Sequence, residues 1–276
     1  MKIITDSGAL YSPEKGKEID IEVLPLHVNV NNKDYKELVD IDSQGFLEIL
    51  KEGHLPRSSQ PAIGETIEVL EKYSDEDVLI INMADGLSGT YQSTVAARES
   101  MDNADRIHVI NSMTLCGPQK FLVDKAVALK NQGLALQDII KEIHKSIATE
   151  KSILIPQDFN FLKRGGRLTP LAATLGGMMR IKPILSPTKD AKRLEKFAMK
   201  KTMKSAVREV IKHFQSMGVD EDYTIFITHA GVLEQAQQVK EQIQRVFEKV
   251  KIELYDLTPV FITQGGPGCI AIQTIK

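Results

Sequence analysis

Short apolar runs of strand length alternate with longer amphipathic segments along most of the 276 residues, and this alternation constrains the fold more than any other feature. Each run followed by such a segment reads as a βαβ crossover, in which the helix covers the strands it connects. The expected class is therefore α/β, with two packed domains and mainly parallel sheets. In the first half the pattern predicts strands over residues 3–5, 78–82 and 107–110, and helices over 43–53, 63–73, 89–101, 114–131 and 136–148. A strand over 152–156 then leads into a segment rich in Gly and Arg, residues 163–167, read as a loop. Strands over 182–185, 193–198, 223–228, 251–254 and 269–274 follow, with helices over 201–216 and 233–246. The domain boundary is placed near residue 150, giving domains 1–150 and 151–276. A cleft between such halves is the default place for a ligand.

Composition enters as a set of exclusions. Lys plus Arg number 35 against 37 Asp plus Glu, a formal charge of -2, so no global field draws the chain to nucleic acid or to an anionic membrane. The longest apolar stretch runs over residues 78–84, far short of the roughly 20 that a membrane-spanning helix needs. The amino-terminal residues Met1 to Asp6 lack the basic and apolar regions of a secretory signal, so a cytoplasmic location is expected. Cys116 and Cys269 are too few for a disulfide framework and too far apart in sequence for a metal or redox motif; they are expected as reduced, buried thiols. The six histidines, among them His229 at the end of a predicted strand, form no HExxH or zinc spacing, so neither a metal nor a cofactor is expected.

Several short segments could carry chemistry. Asp6-Ser7-Gly8 follows the first strand at its carboxyl end, where open parallel sheets bind ligands, although Asp and Ser also serve there as turn and cap residues. Ser58-Ser59-Gln60-Pro61 precedes a helix, and reads equally as an anion site or as an ordinary cap. Gly86-Leu87-Ser88-Gly89-Thr90-Tyr91 follows the strand at 78–82 and opens the next helix, so Ser88, Gly89 and Thr90 face the same sheet edge. This segment is neither a P-loop nor a G-x-S-x-G elbow, which argues against a nucleotide site and a hydrolase nucleophile. Lys163, Arg164 and Arg167 surround two glycines in a basic turn suited to a phosphate or an acidic surface. Gln264-Gly265-Gly266-Pro267-Gly268 is a turn whose glycines admit close backbone approach to a ligand.

Taken together and in this order, Asp6-Ser7, Ser58-Ser59-Gln60-Pro61, residues 87–93, residues 162–168 and Gly266-Pro267-Gly268 resemble the DegV family over nearly the whole chain. Members of that family bind fatty acids, and in several bacteria serve as the acyl-carrying subunit of fatty acid kinase. The resemblance implies a non-catalytic carrier of a long-chain fatty acid, with the tail in a tunnel formed mostly by the second domain and the carboxylate at the domain interface. It implies Ser58 or Ser59, Ser88, Gly89, Thr90, Gln264 and Gly265 as ligand contacts, and Arg164 and Arg167 as contacts for the kinase subunit or its phosphorylated product. Ser58 stands where the family has Thr and keeps the hydroxyl. Gln264 stands where many members have a His that reaches the carboxylate, and an amide can donate a hydrogen bond but cannot become a cation. A monomer is expected. The competing readings are a free-standing phosphotransferase or hydrolase using Ser88, and a regulatory sensor that responds to bound lipid.

Overall fold

The computed structural model describes residues 1–175 and 181–276, which divide into two compact units. The first comprises Met1–Ala148 together with Thr258–Val260, and the second Thr149–Leu257 together with Phe261–Lys276. The short return of residues 258–260 to the first unit has no counterpart in the sequence pattern.

In the first unit, β1 (Lys2–Asp6), α1 (Pro13–Glu18) and β2 (Ile21–Leu24) are followed by β3 (His27–Val30), β4 (Lys33–Lys36), α2 (Ser43–Lys51) and β5 (Arg57–Ser59). Then come α3 (Ile63–Glu71), β6 (Val78–Asn82), α4 (Thr90–Glu99), β7 (Ile107–Asn111), α5 (Gly117–Asn131) and α6 (Leu136–Ile147). The main sheet is parallel throughout, in the order β2-β1-β6-β7. Strand β6 is buried along its whole length, which is why its sequence, Val-Leu-Ile-Ile-Asn, shows no polar alternation. Ile4, Val78, Ile80 and Ile107 pack with Leu70 of α3 and Ala97 of α4. Because β1 leads outward to β2 while β6 leads the other way to β7, the connections diverge between β1 and β6. That divergence opens a crevice at their carboxyl ends. A small antiparallel sheet, β4-β3-β5, completes the unit.

The second unit holds β8 (Lys151–Ile155), α7 (Phe159–Gly165), α8 (Pro170–Ala173), β9 (Lys182–Pro187), β10 (Leu194–Lys200) and α9 (Met203–Ser216). It continues with β11 (Thr224–His229), α10 (Leu233–Gln244), β12 (Lys251–Asp256), α11 (Pro259–Gly265) and β13 (Ile270–Ile275). Its sheet runs β10-β9-β8-β13-β11-β12. The expectation is of mainly parallel sheets; in this one parallel pairing is confined to β11 and β12, which α10 connects, and the other neighbours pair antiparallel. The β9–β10 pair is joined by a tight turn, and β13 returns between β8 and β11, so neither arrangement can give parallel neighbours. One face of the sheet, with Ile153, Ile155, Ile225, Ile227, Ile270 and Ile272, packs on Val207, Val210 and Phe214 of α9 and Val239 and Ile243 of α10. The opposite face carries Leu154 and Leu185, grouped with Phe159, Leu162, Leu168, Ala172 and Leu194 under the short helices α7 and α8. Residues 163–165, read from sequence as loop, continue α7, because Phe159 and Leu162 are spaced one turn apart and face this group. The helix stops at Gly166 in the left-handed region. Among the described residues no helix is long and apolar enough to cross a membrane.

Candidate functional site

Asp6 ends β1 at the crevice and is fully buried. Its carboxylate accepts hydrogen bonds from the amides of Gly8 (2.9 Å) and Met83 (2.9 Å), from Asn82 Nδ2 (3.1 Å) and from Gln119 Nε2 (3.0 Å). Four donors thus tie the ends of β1 and β6 to the start of α5, and the turn-and-cap reading of Asp6 describes it best. Burial pushes its carboxyl above the ordinary range although all four donors oppose the shift.

Ser7 leads to a residue that sequence reading missed. Its hydroxyl accepts from the Leu26 amide (2.8 Å) and donates to Glu37 Oε1 (2.5 Å), while Glu37 Oε2 accepts from the Val260 amide (2.9 Å). Glu37 is 0% exposed. Burial pushes its carboxyl up to about 7, with the Asp6 charge adding to the rise and the hydrogen bonds from Ser7 and Val260 opposing it. The only local signal is a charged residue amid Tyr35-Lys36-Glu37-Leu38-Val39, which reads as an ordinary polar turn.

The two serines before α3 differ in setting. They lie in β5, paired with β3 so that Ser58 is opposite Val28 and Ser59 opposite His27. Strand alternation puts Ser58, half-buried, on the side of the buried Val28 and of Tyr35. Ser59 is exposed and shares its side with His27 and Lys36, which both contact Glu65, at 3.2 and 2.6 Å. Neither serine caps α3, whose cap position is Ala62.

Gln60 brings this segment to the next one. A β-carbon on Gly89 would lie 2.7 Å from Gln60 Oε1, so the amide side chain rests against the Gly89 backbone. Gly89 occupies the cap position of α4 without a capping side chain. The neighbouring hydroxyls Ser88 Oγ and Thr90 Oγ1 are 2.8 Å apart, and Ser88 Oγ also accepts from the Thr90 amide (3.3 Å). Ser58, Ser59, Ser88, Gly89 and Thr90 are thus placed on two adjoining segments of the first unit. Of these two hydroxyls at the amino end of a ten-residue helix, one donates to the other, which leaves an anion one O–H donor and a favourable dipole.

A second grouping forms within the second unit. A β-carbon on Gly165 would run into Gln264 Oε1, and one on Gly266 would lie 2.8 Å from the Phe161 ring, so the ends of α7 and α11 meet. The basic segment and the Gly-rich turn, 97 to 105 residues apart in sequence, are therefore neighbours. Within the basic segment the two arginines differ. Arg164 is exposed, with its guanidinium 4.6 Å above the Phe161 ring. Arg167 is half-buried and donates to the Gly165 carbonyl, and burial draws its pKa down. His229, at the end of β11, is buried with Nδ1 3.3 Å from Asp256 Oδ1; burial lowers its pKa, which Asp256 partly restores. Both cysteines are buried and unbridged, and burial pushes the Cys269 thiol up to about 12, which leaves it inert at neutral pH.

Against known proteins, the family profile described as "Uncharacterised protein, DegV family" matches residues 1–276. A DegV domain-containing protein of Halalkalibacterium halodurans is 32% identical over 98% of this chain and 96% of its own. The solved structure described as "DegV, a fatty acid binding protein from Bacillus subtilis" is 30% identical, with 99% of this chain and 98% of that one covered and a TM-score of 0.85. A structure from Streptococcus agalactiae described as a "fatty acid binding DegV family protein" is 25% identical, covers 99% and 98% of the two chains, and has a TM-score of 0.88. These neighbours share the α/β architecture described above.

Proposed function

This chain belongs to the DegV family, and from that premise we propose that it binds a long-chain fatty acid, tail buried, and presents the carboxylate to a partner fatty acid kinase. The observation that carries the reading is the Bacillus subtilis structure, described as a fatty acid binding protein and similar to this chain along its whole length. The geometry supports it. Ser58, Ser88 and Thr90 supply hydroxyls, and the Gly89 backbone is close to Gln60, where a carboxylate head group would be favoured. Ser59, exposed on the His27 side of its strand, is a weaker candidate than Ser58. Within the second unit, Leu154, Leu162, Leu185 and Leu194 lie under two short helices rather than one long one. Such a cover can part around an alkyl chain at little cost in helical structure. Burying about 15 methylenes at roughly 0.8 kcal/mol each gives an upper bound near ~12 kcal/mol, so the tail dominates affinity and the hydroxyls set orientation.

We assign Gln264 and Gly265 to the ligand as the family resemblance implies, and Arg164 to the kinase. Arg167, turned onto the Gly165 carbonyl, holds the segment that displays Arg164. In this reading the protein is a cytoplasmic monomer and no enzyme by itself. The test is mass spectrometry, native and after solvent extraction, of gently purified protein. A stoichiometric fatty acid of about 14 to 18 carbons supports the carrier. Protein that is empty and refuses added oleate and palmitate would defeat it, and would favour the lipid-independent readings of Ser88.

A further inference from the structure

Glu37 is the least expected group in the molecule. It is a carboxyl wholly removed from water, with no cation as partner among the described residues, and the charge of a second buried carboxyl, Asp6, acts on it. A buried carboxylate of this kind resists ionisation by desolvation and by like charge, and it binds a proton more firmly than the same group in water. The groups that face it are the Ser7 hydroxyl from the turn after β1, the Leu26 carbonyl that accepts its own amide (2.9 Å), and Thr258 and Val260 from the returning segment. The charge that acts on it is that of Asp6. On its own turn, Lys36 is engaged by Glu65 (2.6 Å), and Asp40 accepts from the Lys36 amide (2.8 Å). Nothing charged is carried by Thr258, Pro259 or Val260 themselves.

The contact joins residues 223 positions apart. Val260 lies in the first turn of α11. We propose that Glu37 is a proton-held latch on the Thr258–Val260 segment, a positioning residue that seats this return of the chain within the first unit. With its proton, Glu37 is content in the dry interior and the segment stays closed. Without it, the carboxylate gains by reaching water, and every opening that exposes it becomes more frequent. Opening is therefore linked to proton release. It grows up to tenfold per pH unit between the ordinary carboxyl range and the higher pKa of the buried form, and levels off above that. The latch does not depend on the carrier reading.

The experiment is hydrogen exchange at the Val260 amide of the full chain, followed by NMR from about pH 5 to 8 and corrected for the intrinsic pH dependence of exchange. Protection in the wild type should fall steeply up to about pH 7 and then level, whereas Glu37→Gln should show no such step. Ser7→Ala, which removes a donor to the charged form, should move the step to higher pH, and serves if Glu37→Gln folds poorly. A wild type without a step, or a step that survives in Glu37→Gln, overturns the latch.

Discussion

Ser88 and Thr90 share one hydrogen bond across 2.8 Å, and only one of the two oxygens can be the donor within it. The other hydroxyl proton is then available to an incoming carboxylate. Ser88→Ala should accordingly weaken oleate binding by about 1 to 2 kcal/mol, the range of a hydrogen bond to a charged group. Binding of methyl oleate should change far less. Titration calorimetry of both ligands on both proteins checks this, and an equal loss for acid and ester would remove Ser88 from head-group binding. At this scale the sequence was informative where the signal is local. Ser88, Gly89 and Thr90 follow a strand and open a helix, and their place follows from that order. The difference between Ser58 and Ser59 was invisible because β5 is only three residues long and gives no alternation to read. Glu37 was invisible for the opposite reason: its burial is made by Ser7, Leu26 and Val260, all distant in the chain.

Among the elements, long amphipathic helices and apolar strands were legible, and the short pieces between them were not. The stretch Lys163-Arg164-Gly165-Gly166-Arg167 reads as a loop from its glycines, yet its first three residues finish α7, held by Phe159 and Leu162. Likewise α11 has few sequence cues, because its residues Val260, Phe261 and Ile262 are buried and its polar face is short. The meeting of these two helices makes a specific demand on Gly266, which has φ +77 and no room beside the Phe161 ring. Gly133, at φ +81, has nothing near it. Alanine at Gly133 should cost roughly 1 kcal/mol, the left-handed penalty alone. At Gly266 the clash adds to that penalty and the loss should reach about 2 to 4 kcal/mol. Urea unfolding of the two variants makes the comparison, and equal losses would mean that Phe161 moves aside freely.

For the whole molecule, the class could be read from pattern, because alternating periodicities persist over many residues. Pairing direction in the second sheet could not, since β13 is placed between β8 and β11 by long-range contacts. Neither could the return of residues 258–260. Its acid–base consequence extends to global stability. Glu37 titrates near its ordinary value of 4.5 when unfolded and at about 7 when folded, so between these values the folded state binds more protons. Stability from this group must therefore fall as pH rises through that window, by on the order of 3 kcal/mol at most. Denaturant midpoints of the wild type and Glu37→Gln, measured from pH 4.5 to 8, should diverge over that range and run parallel above it. Parallel curves throughout would place the Glu37 carboxyl in contact with water.

The same return of the chain matters during synthesis. Glu37 is made early, and the amide that it accepts from follows 223 residues later. A nascent chain carrying only the first unit's long segment holds a carboxyl in the place of that contact with no amide yet made to meet it. Translation order and folding order cannot coincide here: the amino-terminal unit is finished only when the last helix emerges, and a ribosome paused before that point carries a half that is assembled but not closed.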